Sequence, residues 1–268
     1  MRVLLDQIQV FSRLIQQEEA LRKPLQESSP TNPILGYHLL SEAEYRNNYA
    51  VLLTDLVVLH VLPMPNHIAD QKAVILLERA RDYLQEAIRL TDGPTKLSQD
   101  VTAQRLMQRS NLAYVYILQV ERDITRRQAL DIETIRGAIR NITQAHSIMS
   151  NLPTLRTRYN AEVNRRLADC CMTLHEAQRY QPIILSQLIA TDKEPLKRLL
   201  SIPDIPPQTV QLDQTTLLAR AGDYLQLAQS PDADDEDKVY LARSEAHYRE
   251  LKDALPPSDV IVFQNDHK

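Results

Sequence analysis

Glycine is nearly missing from this chain: four residues in 268. Tight β-hairpins need positive φ at fixed positions and glycine supplies it, so its scarcity excludes an all-β architecture. Tryptophan is absent, and the two cysteines, Cys170 and Cys171, are neighbours. Adjacent thiols cannot staple distant segments together, and they suit a reducing compartment. No sign of charge dominates. The net charge of −4 comes from interspersed acids and bases, which gives a phosphate backbone or an anionic membrane no broad attraction. Long apolar runs are missing as well. The most apolar stretch, Ala50 to Leu62, contains Asp55 and His60 and stops at Pro63, too short to cross a bilayer. The opening Met1-Arg2-Val3-Leu4-Leu5-Asp6 places an acid where a signal-peptide core would run. These absences predict a cytoplasmic protein without a membrane span or a need for a cofactor, for which nucleic acid is an unfavoured partner.

What is present is helical periodicity punctuated by proline. Leu4, Ile8, Phe11, Leu14 and Ile15 recur at helical spacing and predict a first helix over 3–21, ending before Pro24. A loop is expected over 23–37. Ser41 with Glu44 three residues later forms a capping-box pattern, which places the start of a second helix at Ser41. Further helices are expected over 69–90, 98–123, 131–151 with Asp131 as N-cap, and 153–180. Shorter ones follow over 183–190 and 194–200, then two more over 214–229 and 235–255. The fold class read from this is all-α: antiparallel helix pairs, about nine to ten helices, stacked as a short α-solenoid. Its expected parts are an N-terminal helix and loop (1–40), a helical-hairpin region (41–200), a proline-rich linker (201–212), a C-terminal helix pair (213–255) and a tail (256–268).

Two segments carry a resemblance. Ala80-Arg81-Asp82-Tyr83-Leu84-Gln85-Glu86-Ala87 puts small, large and small residues at i, i+4 and i+7, a pattern that returns at Ala138, Ile142 and Ala145. Asn111-Leu112-Ala113-Tyr114-Val115-Tyr116 sets a Leu beside a small residue with an aromatic three further on, and Leu167-Ala168-Asp169 is a weaker echo. Alanine at such offsets lets two helix backbones approach while a larger neighbour fills the groove. Together these segments resemble tetratricopeptide repeats, in divergent form: that family repeats every ~34 residues, whereas corresponding positions here lie 58 apart (80 to 138) or 55 apart (112 to 167). The resemblance implies a protein-binding superhelix, an adaptor or scaffold whose concave face is lined by the first helix of each pair. Some members clamp a terminal carboxylate with an Asn two positions after the repeat's Leu. Tyr114 and Asp169 occupy those places here, so that recognition is not carried over. On this reading Arg109, Asn111, Tyr114 and Asp169 face a peptide or helix of another protein, or a second copy of the chain.

Other constellations are weaker. Cys171 and His175 are i and i+4 on one helix, two ligands where a structural zinc site needs four. They mark the alternative reading, an enzyme or ligand-binding bundle with a pocket near Cys171 and His175; a third reading is a structural subunit of a larger assembly. Asp232, Asp234, Asp235, Glu236 and Asp237 lack the glycine and final Glu of a calcium loop and are expected to sit in solvent at a helix N-terminus. Arg156, Arg158, Arg165 and Arg166 form the densest basic group. Glu162 and Asp169 lie four residues from Arg166 and Arg165, so mutual pairing within the helix is the expected arrangement. The tail Val260-Ile261-Val262-Phe263 is expected to fold back into a groove of its own chain or to add to a partner's sheet edge.

Overall fold

The computed structural model of the chain describes residues 2–29, 31–62, 67–92, 99–201, 214–229 and 235–255. Among them all regular structure is helical, in the order α1 (Arg2–Ser28), α2 (Pro33–Leu56), α3 (His67–Thr91), α4 (Gln99–Thr125), α5 (Ile132–Ser150), α6 (Pro153–Tyr180), α7 (Ile183–Thr191), α8 (Lys193–Leu200), α9 (Gln214–Ala228) and α10 (Asp235–Asp253). α2 closes in a π-helical turn, Val57–Val61. Residues 202–212 of the expected linker 201–212, Asp232 and Asp234 of the acidic cluster, and the tail 256–268 lie outside the described residues.

Two boundaries differ from the periodicity. α1 passes through Pro24 and runs on to Ser28, although an interior proline removes one backbone hydrogen bond and strains the turn before it. Contacts on both sides of the proline hold it. Fully buried Glu42 on α2 receives Arg22 Nε at 2.6 Å and Arg46 Nε at 2.9 Å, and Arg46 also pairs with Glu19. Beyond the proline, Arg22 Nη1 donates to Gln26 and Ser28 Oγ donates to the Pro24 carbonyl. α2, in turn, starts at Pro33 and not at Ser41. Asn32 is its N-cap, accepting from the Ile34 amide at 2.9 Å, with proline at the first turn where its missing N–H costs nothing. The Ser41–Glu44 pair lies inside this helix. By contrast, Asp131 caps α5 as expected, accepting from the Glu133 and Thr134 amides.

Consecutive long helices pack as antiparallel neighbours from α1 to α6. α2, α4 and α6 also touch one another in sequence, forming one layer, while α3 and α5 form a second layer that α7 and α8 extend. α9 lies along α6, and α10 crosses α6 and α9. The alanines of the sequence pattern are where close approach needs them: Ala80, Ala87 and Ala145 are fully buried and Ala138 nearly so, beside buried Leu84, Leu112 and Ile142. Gly137 goes further, since a Cβ there would lie 2.6 Å from the Tyr116 ring. α4 is apolar on two sides. Leu112, Val115 and Leu118 enter a core shared with α1, α2 and α3, while Leu106, Ala113, Ile117 and Val120 enter one shared with α5, α6 and α9. With an apolar face in each, α4 ties the two cores into one structure.

Candidate functional site

Spacing of three, four and seven gathers polar residues on the inner sides of α4 and α6: Asn111, Tyr114 and Glu121 from α4, and Glu162, Arg165, Arg166, Asp169 and Glu176 from α6. α2 adds Asn47 and Asp55, and α10 lies over the opening. The result is a polar groove across the α2–α4–α6 layer.

Its floor is a chain of hydrogen bonds linking three helices. Arg166 Nη1 donates to Ser110 Oγ at 2.9 Å and to Asn111 Oδ1 at 2.7 Å, and Asn111 Nδ2 donates to Asn47 Oδ1 at 2.9 Å. Both arginines are buried and both are neutralised within their own helix, Arg165 by Asp169 at 3.1 Å and Arg166 by Glu162 at 2.6 Å. These are the pairs that helical spacing predicts. Tyr114 lies between them, with the two guanidiniums 5.5 and 5.2 Å from its ring centre, a cation–π arrangement strengthened by the exclusion of water. Burial pushes the Tyr114 hydroxyl up to about 12. The exposed arginines of the same basic group stay outside: Arg158 stacks on Tyr159 at the rim.

α10 reaches into this groove. Tyr240 donates to Asp55 Oδ1 at 2.6 Å, packs edge-on to Tyr114 with ring centres 6.2 Å apart, and receives Arg165 over its own face at 5.0 Å. One turn on, Arg243 lies beside Glu121, and His247 Nε2 meets Glu176 at 3.3 Å. Burial pushes Glu121 up to about 7, with Asp169 and Glu176 adding to the shift and Arg243 and His247 opposing it. Burial also raises Asp55, against the pull of Tyr240 and Arg166. The hydrogen bond to Glu176 raises His247.

Of the four residues the sequence singles out, Asn111, Tyr114 and Asp169 come together here. Arg109 does not: it bridges Asp92 at 3.0 Å and Gln144 at 2.6 Å, at the α3–α4–α5 side. The sequence reading missed Asn47, Asp55, Glu121 and the α10 residues. A signal for the last was present, since Tyr240, Arg243 and His247 at i, i+3 and i+7 make one aromatic and basic stripe. Cys171 and His175 are both fully buried and, at about 100° per residue, point away from the groove side of α6 that carries Asp169. Burial pushes both thiols up, away from reactivity. Among the described residues no group of three or more His, Cys, Asp or Glu is placed to hold a metal ion, and no helix is long and apolar enough to cross a membrane.

Fold and site together define an all-α array of antiparallel helix pairs with a polar groove in one layer. The chain matches no known protein family, no curated protein and no solved structure.

Proposed function

We propose that the protein is a scaffold that holds a helical segment of a partner protein in the groove of α2, α4 and α6. One observation carries this reading: the groove already accommodates a helix, α10, through side chains at i, i+3 and i+7, the spacing by which helix-in-groove complexes are read. The array is taken as a divergent relative of the tetratricopeptide repeats, a reading supported by the buried alanines at Ala80, Ala87, Ala138 and Ala145. In that kinship the first helices of successive pairs supply the binding face, which is the role assigned here to α2, α4 and α6. Two buried, unpaired cysteines support a cytoplasmic setting.

The test uses photoreactive residues in the full chain. One replaces Arg158 at the groove rim; the other replaces Ile75, 62% exposed on α3 in the second layer. Illumination in the native cell should attach a partner segment at 158 and none at 75. Absence of attachment at 158, with or without attachment at 75, removes the groove from consideration.

A further inference from the structure

We infer that α10 is a replaceable occupant of the groove, and that it gives way to a basic amphipathic helix of a partner carrying an aromatic residue followed by cations three and seven positions later. The inference rests on the helix-holding reading above and names the partner's chemistry.

Three observations carry it. The first is charge complementarity. Tyr240, Arg243 and His247 lie on one side of α10, since seven residues bring a helix almost full circle. Opposite them the groove presents carboxylates from three helices, Asp55 on α2, Glu121 on α4 and Glu176 on α6, besides Asp169, which Arg165 already pairs. The second is the thinness of the grip. Among the described side chains of α10 only Ser244 and Leu251 are buried, and Val239 is 61% exposed. α9 differs, burying Leu217, Leu218, Ala221, Tyr224, Leu225 and Ala228. α10 does pack Leu241, Tyr248 and Leu251 against the core beside α9, but on its groove side it holds by polar contacts that water or another helix can replace. The third is incomplete filling. Cavities of about 470, 360 and 210 Å³ remain along the groove, and Tyr240 or Arg243 forms part of the wall of each. These clefts are open to solvent, so a helix with bulkier side chains beside its aromatic and cationic anchors can occupy groove volume that α10 leaves unfilled. Attachment to the same chain keeps α10 in place at a high local concentration until such a helix arrives.

The experiment uses the full chain and a fluorescein-labelled peptide of residues 235–255, together with a counterpart peptide in which the positions of Arg243 and His247 carry Glu. Charge reversal of both residues in the chain, Arg243→Glu with His247→Glu, weakens the resident helix. The labelled peptide should bind this variant at least tenfold more tightly than the wild type, and the reversed peptide should bind neither. Tyr240→Phe, which removes only the hydroxyl donated to Asp55, should give a smaller gain of about threefold and guards against misfolding of the double variant. Hydrogen exchange of the wild type should show α10 amides opening at least 100-fold more often than those of α4 and α6. Equal protection of α10 and α6, or equal peptide binding by variant and wild type, overturns the inference. If α10 proves fixed while partner attachment at 158 persists, only this inference falls. If nothing attaches at 158, the parent reading falls with it.

Discussion

Glu42 is the residue on which the N-terminal helix depends. It is fully buried and accepts from two guanidiniums, Arg22 and Arg46. An enclosed carboxylate is tolerable only while its partners compensate the lost hydration, and the same holds for the partners. Glu42→Gln keeps the shape and removes the charge, leaving buried Arg22 without its carboxylate and Arg46 with Glu19 alone, so it should lower stability by about 3 kcal/mol. In limited proteolysis α1 should be cut before any other helix. An unchanged urea midpoint would show that the pair contributes nothing net. At this scale the sequence is legible only where partners share a helix. Arg165–Asp169 and Glu162–Arg166 follow from a spacing of four, but nothing in the order of residues announces that Arg22 and Glu42, twenty positions apart, meet.

Helix boundaries show the same division between local and distant causes. The expectation that α1 stops before Pro24 uses a sound local rule, and tertiary anchoring overrides it. The true start of α2 was present as Asn32-Pro33, a cap followed by a first-turn proline, but three nearby prolines favour reading the whole stretch as loop. α10 shows what an element does when its anchors titrate. Glu121 has a folded-state pKa of about 7, above its ordinary 4.5, so its favourable contribution is complete below the unfolded value and disappears as pH rises through 7. His247, raised above 6.5, contributes fully below 6.5 and loses that contribution as pH climbs through its higher folded value. Asp55, raised by burial, acts in the same sense at lower pH. The charges facing these groups are Asp55 from α2, Glu121 from α4, Arg165, Arg166, Asp169 and Glu176 from α6, and Arg243 within α10. His247 is the titrating group that α10 itself carries, and it loses its charge opposite Glu176 as pH rises, so α10 should open about tenfold more often at pH 8 than at pH 5.5, read from exchange rates corrected for intrinsic pH dependence. Glu176→Gln, which removes the carboxylate that raises His247, should flatten that slope. Tighter docking at pH 8 would contradict the assignment.

For the whole molecule, the fold class was legible because it depends on repeated local signals: few glycines, 3.6-residue periodicity, and alanines at offsets that permit close packing. The groove was half legible. Three of its residues follow from the inner-face pattern of α4 and α6, yet its covering helix comes from the far end of the chain, where proximity in sequence gives no guide. The location of the thiols has a practical consequence. Cys170 and Cys171 are enclosed in the core with their acidity suppressed by burial, and thiolate is the reactive species. A chromogenic disulfide reagent should find less than about 0.1 equivalent of reactive sulfhydryl in the native protein and about two after denaturation in urea. Appreciable native reaction would mean that the interior opens more readily than its packing implies. If the thiols stay silent, the natural chain is already a blank background for maleimide dyes: a single cysteine engineered at the surface becomes the sole attachment point, and donor–acceptor pairs can report distances across the array without any native residue being removed.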